Sequence, residues 1–238
     1  MFTQPKKRGS CKKISLYDIK DAMNERNTEK LTQLLEEAKE LINEGFGENE
    51  DTFLISAADE GNDESVEILL DKGALINLAD KWGITALHIA AFQGHVGVVK
   101  QISDYIAKTE EIKDENGNVI SPKDIINHQD HSGNTPLHVA RSAEMFKLLL
   151  DMRVDPNIAN TAGLSVGDII YDPAPVNQRY EFDALGTWKG WYQQNSPDEK
   201  IPIELHANAA SLCNGNEADQ VEGDPKVAGG FELMDPSE

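Results

Sequence analysis

His128 and His131 flank Asp130, and imidazoles beside a carboxylate are the raw material of a zinc site. No cysteine or further histidine lies close to them in sequence, and the polarity of a turn accounts for all three. His88 and His138 are a second pair to weigh as acid–base groups. They stand inside two near-copies of one heptapeptide, ITALHIA from Ile84 and NTPLHVA from Asn134, so they belong to a recurring pattern rather than to one catalytic constellation. Cys11 and Cys213 lie near opposite ends in polar surroundings, with no histidine or turn motif that would mark a nucleophile. Glu36-Glu37 and Glu110-Glu111 read as solvated helix surface. The stretch GFGEN from Gly45 lacks the lysine and the strand-to-helix context of a phosphate loop. The expectation is no catalytic residue, no metal and no cofactor.

Composition narrows the remaining classes. The chain has 238 residues, enough for one or two domains, and a formal charge of −20. Such a charge repels phosphate backbones, which argues against nucleic acid as a partner. A hydrophobic content of 39% is below the ordinary globular range, which predicts a folded part and a polar part. No apolar run approaches the ~18 residues of a membrane helix, no signal-peptide core follows the basic start, and two cysteines make no disulfide framework. A soluble, intracellular and monomeric chain is expected. The one basic stretch, Lys6 to Lys13, predicts a flexible arm over residues 1–15.

The two heptapeptides call for elements that position them alike. Reading outward gives DKWGITALHIA from Asp80, DHSGNTPLHVA from Asp130 and the partial copy ENEDTFLISAADEG from Glu48. Ala57 to Ala90 and Gly61 to Gly94 are each 33 residues apart. Asp-x-x-Gly is turn chemistry. Thr85 and Thr135 then stand where a helix N-cap belongs, and Pro136 follows at the first helical position. Gly94 ends that helix, and Val98, Val99 and Ile102 give the next one an apolar stripe. A unit this small cannot hide its own apolar face, and stacking closes the core.

This pattern resembles the ankyrin repeat, most closely over residues 80–99, with Ala86 in place of the family's proline, and over KGALIN, residues 72–77. The resemblance covers residues 16–171 and implies an all-α, ankyrin-repeat solenoid of helix-turn-helix units joined by β-turn fingers, ending in an irregular acidic tail. The expected division is an N-cap over 16–45, units over about 46–79, 80–129 and 130–159, and a partial cap over 160–171. The spacing of 50 between the heptapeptides exceeds 33 by 17 residues, and these fall inside the second unit. The text from Ile102 predicts a lengthened second helix, then a projecting hairpin or loop in which Asn116-Gly117 is a hairpin-turn signal, then a return to register at Ile125. In the third unit three residues are missing near the turn between helices, which predicts a shortened first helix. Beyond it lies an extension, 172–238, with an aromatic island at 179–195 expected to pack on the solenoid and 207–238 expected to lack stable structure.

In this family the repeat histidine bonds backbone in the adjoining turn, and partners bind the concave face formed by the finger tips and first helices. Carried onto this chain, that face comprises Glu48, Asn49, Asp51, Asp59 and Glu60 from the first full unit, Lys81, Trp82, Ile84, Phe92 and Gln93 from the second, and His131, Ser132 and Asn134 from the third. The repeat requires none of Trp82, Ile84 and Phe92, which predicts one apolar hot spot with acids as its rim. The resemblance implies a non-catalytic scaffold whose protein partner offers an apolar side chain flanked by lysine or arginine. Irregular units with an acidic tail also resemble ankyrin proteins that intracellular bacteria deliver into host cells, which would place such an effector in the host cytoplasm. The alternatives are a targeting arm of an enzyme and a self-associating structural protein.

Overall fold

The run Ala86-Leu87-His88-Ile89-Ala90-Ala91 is apolar almost all round, and a helix of that kind has to be covered on every side. In the computed structural model, which describes residues 13–171, it is covered. Helix α5 (Ala86–Gln93) lies between α3 (Phe53–Asp59) and α8 (Pro136–Val139), with α6 (Val96–Lys108) behind it. Small side chains at Ala86, Ala90 and Ala91, all buried, permit the close approach. A second row of helices runs behind the first: α2 (Thr28–Glu37), α4 (Asp63–Asp71), α6 and α9 (Ala143–Asp151). The stack starts at α1 (Leu16–Asn24), paired with α2, and the described chain ends in α10 (Val166–Tyr171). One continuous apolar core runs from Ile19 to Val166.

Three of the fingers are near-superimposable in their bonding. Asp80 Oδ1 accepts from the backbone N–H of Trp82 and Ile84, each at 2.8 Å. Asp130 Oδ1 does the same for Ser132 and Asn134, each at 2.8 Å, and Asn160 Oδ1 for Ala162 at 3.0 Å and Leu164 at 3.1 Å. Adjacent fingers are then tied backbone to backbone: Lys81 N–H donates to Asn49 O at 3.0 Å, His131 N–H to Trp82 O at 2.8 Å, and Thr161 N–H to Ser132 O at 2.9 Å. Gly133 makes this possible, because a Cβ there would sit 2.6 Å from Thr161 N and its φ is +75°. The first full unit is different. Its finger closes by reciprocal bonds between Phe46 and Asp51, and Ile55 stands where the later units carry histidine.

The surplus residues leave the finger row intact and alter the second helix row. Helix α6 has 13 residues against 9 in α4 and 9 in α9, about one extra turn. It is followed by a hairpin of β1 (Ile112–Lys113) and β2 (Val119–Ile120), then by α7 (Pro122–Ile126), whose Ile125 and Ile126 are buried. Asp114 Oδ1 holds the turn by accepting from Asn116 N–H at 2.9 Å and Asn118 N–H at 2.7 Å. In the third unit the first helix, α8, is four residues long.

The extension has a consequence inside the core. Asn43 Oδ1 accepts Leu75 N–H at 2.9 Å, and Asn127 Oδ1 accepts Asp155 N–H at 2.7 Å, so each joins its unit to the next. Asn77 is their counterpart, and its Oδ1 is buried without a hydrogen-bond partner among the described residues. With the 17 surplus residues counted, the counterpart of Leu75 and Asp155 is Ile125, which lies inside α7. Its N–H donates to Ser121 O at 3.3 Å and so does not serve Asn77. The expectations placed on the arm, the aromatic island at 179–195 and the tail at 207–238 fall outside the described residues. No described helix is long and apolar enough to cross a membrane.

Candidate functional site

The repeat histidines are braces. His88 Nδ1 lies 3.4 Å from Thr85 N and 2.8 Å from Thr85 Oγ1, and its Nε2 lies 3.0 Å from Asn134 O in the next finger. A carbonyl can only accept and a backbone N–H can only donate. The ring is therefore neutral, with the hydrogen on Nε2 donated to Asn134 and Nδ1 accepting from Thr85. His138 repeats the arrangement, with Nδ1 at 3.1 Å from Thr135 N and Nε2 at 3.2 Å from Leu164 O. Burial lowers the His88 pKa to about 4, which keeps the ring in that neutral form. His128 packs edge-on against His88 at 6.0 Å between centroids, and burial lowers its pKa as well. Among the described residues no group of three or more His, Cys, Asp or Glu is placed to hold a metal.

The thirteen expected partner-binding residues divide into three kinds. The first kind sits at the finger tips and is tied in through backbone groups. Glu48 O accepts from Lys81 Nζ at 2.9 Å, Asn49 O from Lys81 N–H, and Ser132 O from both Thr161 N–H and Thr161 Oγ1. Trp82 is pinned on both strands of the ladder's path, by Asp80 and by His131, and remains 44% exposed. Lys81 Nζ lies 4.3 Å from the Trp82 ring centroid and covers one of its faces. His131 is exposed beside it.

The second kind is engaged across units. Asp59 Oδ1 accepts from Gln93 Nε2 at 2.7 Å, and Glu60 pairs with Lys20, which also reaches Ser56. Phe92 is half-buried, with the Arg141 guanidinium 4.8 Å from its ring centroid. Asp51 is half-buried, and its carboxyl is held above the usual range by burial first, then by the like charges of Asp80 and Asp59.

The third kind is structural. Asn134 accepts from His88 through its carbonyl and from Asn160 through Oδ1, and its Nδ2 donates to Asp130, so its polar groups are all committed. Ile84 is half-buried at the base of its finger. Of the residues expected to form the apolar hot spot, Trp82 precedes α5 and Phe92 lies near its end, six residues after Ala86 or about 9 Å along the axis at 1.5 Å per residue. Lys20, Ser56 and Arg141 belong to the same surface and were not anticipated. Lys20 and Ser56 lie on the first helices of their units and Arg141 just after α8, 36 to 49 residues from their partners, and no local motif announces them.

Comparison with known proteins accords with this geometry. A model of ankyrin repeats in three copies matches residues 20–116, and a single ankyrin-repeat model matches residues 132–161. The Notch-regulated ankyrin repeat-containing protein of Homo sapiens is 39% identical over 83 residues, covering 34% of this chain and 73% of that protein. The human transient receptor potential cation channel subfamily A member 1 is 36% identical over 115 residues, 46% of this chain but 10% of the channel. Inversin of Danio rerio is 35% identical over 79 residues, 32% of this chain and 7% of Inversin. This chain thus spans a small fraction of the channel and of Inversin, and most of the Notch-regulated protein. Ankyrin repeats are generally protein–protein interaction modules and generally lack catalysis. With the His brace, the Asx-closed fingers and two matches that together run from residue 20 to residue 161, the chain belongs to the ankyrin-repeat family.

Proposed function

We propose that this protein binds a partner protein along its concave strip, with Trp82 as the central anchor and acidic side chains selecting a basic partner. The observation that carries this reading is the combination of a 44% exposed tryptophan and a backbone held by Asp80 of its own finger and by His131 of the next. An aromatic presented on a fixed backbone loses little conformational freedom on binding, which is what a hot spot needs. Asp51, whose charge is already disfavoured by burial and by Asp80 and Asp59, gains most from an incoming cation. The partner is therefore one that offers an apolar side chain next to lysine or arginine.

The test is affinity capture with a photo-crosslinking residue introduced at Lys81, comparing the unaltered chain with Trp82→Ala and with Trp82→Ala plus Phe92→Ala. Loss of about 2 kcal/mol per anchor would weaken binding roughly thirtyfold for the first change. The expected result is a crosslinked basic protein that both variants lose. A specific partner retained at full affinity by the double variant would remove the concave strip from consideration.

A further inference from the structure

The extra turn of α6 and the hairpin that follows leave a groove of about 440 Å³. One wall is the turn at 73–76, the other is the run from Glu110 to Lys113, and Tyr105 of α6 lies between them. None of the concave-strip residues lines it. Three observations about its hairpin wall define what it can hold.

The first is the register of the ladder. Ile112 pairs with Ile120 and Lys113 with Val119, and Asp114 N–H donates to Asn118 O at 2.9 Å. Bonded and non-bonded pairs alternate along an antiparallel ladder. With 114 and 118 bonded, 113 and 119 are not, and 112 and 120 are. The N–H and C=O of Lys113 therefore face away from β2, as do those of Glu111. Both residues line the groove, and β2 does not. The groove is bordered by a free strand edge, the feature to which an extended chain adds by backbone hydrogen bonds.

The second is charge. Glu110 has no cation within ion-pair distance among the described residues, and Glu111 is paired at 3.3 Å with Lys113, a contact exposed on both sides. The third is the apolar content, Leu75 and Tyr105, both half-buried. A strand presents alternate side chains to opposite faces. A segment laid along β1 would thus turn one set toward the side of buried Ile112 and the other toward the exposed side that carries Glu111 and Lys113.

We infer that the free edge of β1 takes an extended segment of a partner protein as a third strand, one that alternates small apolar and basic residues. This is a second interaction surface, independent of the concave strip. The acidic wall selects the sign of the segment, and the edge supplies main-chain bonds that any sequence of that pattern satisfies.

The probe is a short blocked peptide alternating valine and lysine, titrated into the full chain by fluorescence anisotropy. Its counterpart carries N-methyl groups on alternate amides, which removes the edge bonds and keeps charge and side chains. The inference predicts binding of the first peptide, weakening by about tenfold or more on methylation, and slowed hydrogen exchange at the amides of Glu111 and Lys113. Lys113→Pro, which removes an N–H that β2 does not use, should weaken binding comparably, whereas Trp82→Ala should leave it unchanged. Equal affinity of the two peptides would reduce the effect to charge attraction and overturn the inference. So would protection at the finger tips instead of β1, or no binding of the unmethylated peptide.

Discussion

At the scale of single residues, the repeat histidine links pH to stability. His88 is neutral in the fold, with its pKa lowered from 6.5 to about 4 by burial, whereas the unfolded chain protonates it near 6.5. A depressed pKa means the unfolded state takes up the proton first, so its contribution is whole above pH 6.5 and declines as pH falls toward 4. The shift corresponds to about 3 kcal/mol. His128 is shifted in the same direction and adds to the same decline. Denaturant unfolding at steps between pH 7 and pH 4 should show this loss, and His88→Asn should be less stable at pH 7 while showing a shallower decline. An unaltered slope in His88→Asn would mean that the acid sensitivity resides in other groups. The same residue also shows how brace and site differ: His88 reaches Asn134 from the core, so Asn134, although at a finger tip, is occupied from behind.

Among elements, the lengthened α6 accounts for what was legible in the sequence and what was not. The shortened α8 follows from the three missing residues, and the turn at Asp114–Asn118 from Asn116-Gly117, because both are local signals. Helix α7 had such a signal in Ser121-Pro122, with Ser121 capping Asp124 N–H at 3.1 Å, and it went unread inside an expected loop. The orphaned oxygen of Asn77 has no local signal, because it depends on where the N–H of Ile125, on the far side of the hairpin, is spent. The contacts of Lys20 and Arg141 are non-local in the same way. That oxygen makes a prediction by contrast. Asn43→Ala and Asn127→Ala each leave a backbone N–H without its acceptor and should cost about 1–2 kcal/mol. Asn77→Ala removes an unsatisfied buried acceptor and should be neutral within about 0.5 kcal/mol or slightly stabilising. Parallel melts of the three variants decide it: a loss in Asn77→Ala equal to the other two would show that its oxygen has a donor after all.

For the whole molecule the dominant electrostatic fact is imbalance, 42 acidic residues against 22 basic. Two effects of salt then oppose each other. Screening weakens ion pairs, but Arg26–Glu64, Lys30–Glu25, Lys100–Glu144 and Lys108–Asp104 are each more than 40% exposed on both sides, where such pairs contribute about 0–1 kcal/mol. Screening also relieves repulsion among the surplus carboxylates, which is summed over the molecule and reaches across the ~10 Å Debye length at about 0.1 M. Repulsion should win. Raising sodium chloride from about 0.02 M to about 0.5 M should raise Tm by a few degrees. Chloride is the right choice, since sulfate stabilises by exclusion from the surface whatever the charge. Glu48→Lys, at an exposed finger whose backbone bonds it leaves alone, should raise Tm at low salt and narrow the response. A Tm that falls with chloride would show that the pairs outweigh the imbalance, and the acidic surface would then be better matched to holding the stack together than to drawing in a basic partner. The direction of that one curve therefore bears on both proposed surfaces, because each relies on carboxylates that the fold itself leaves underpaired.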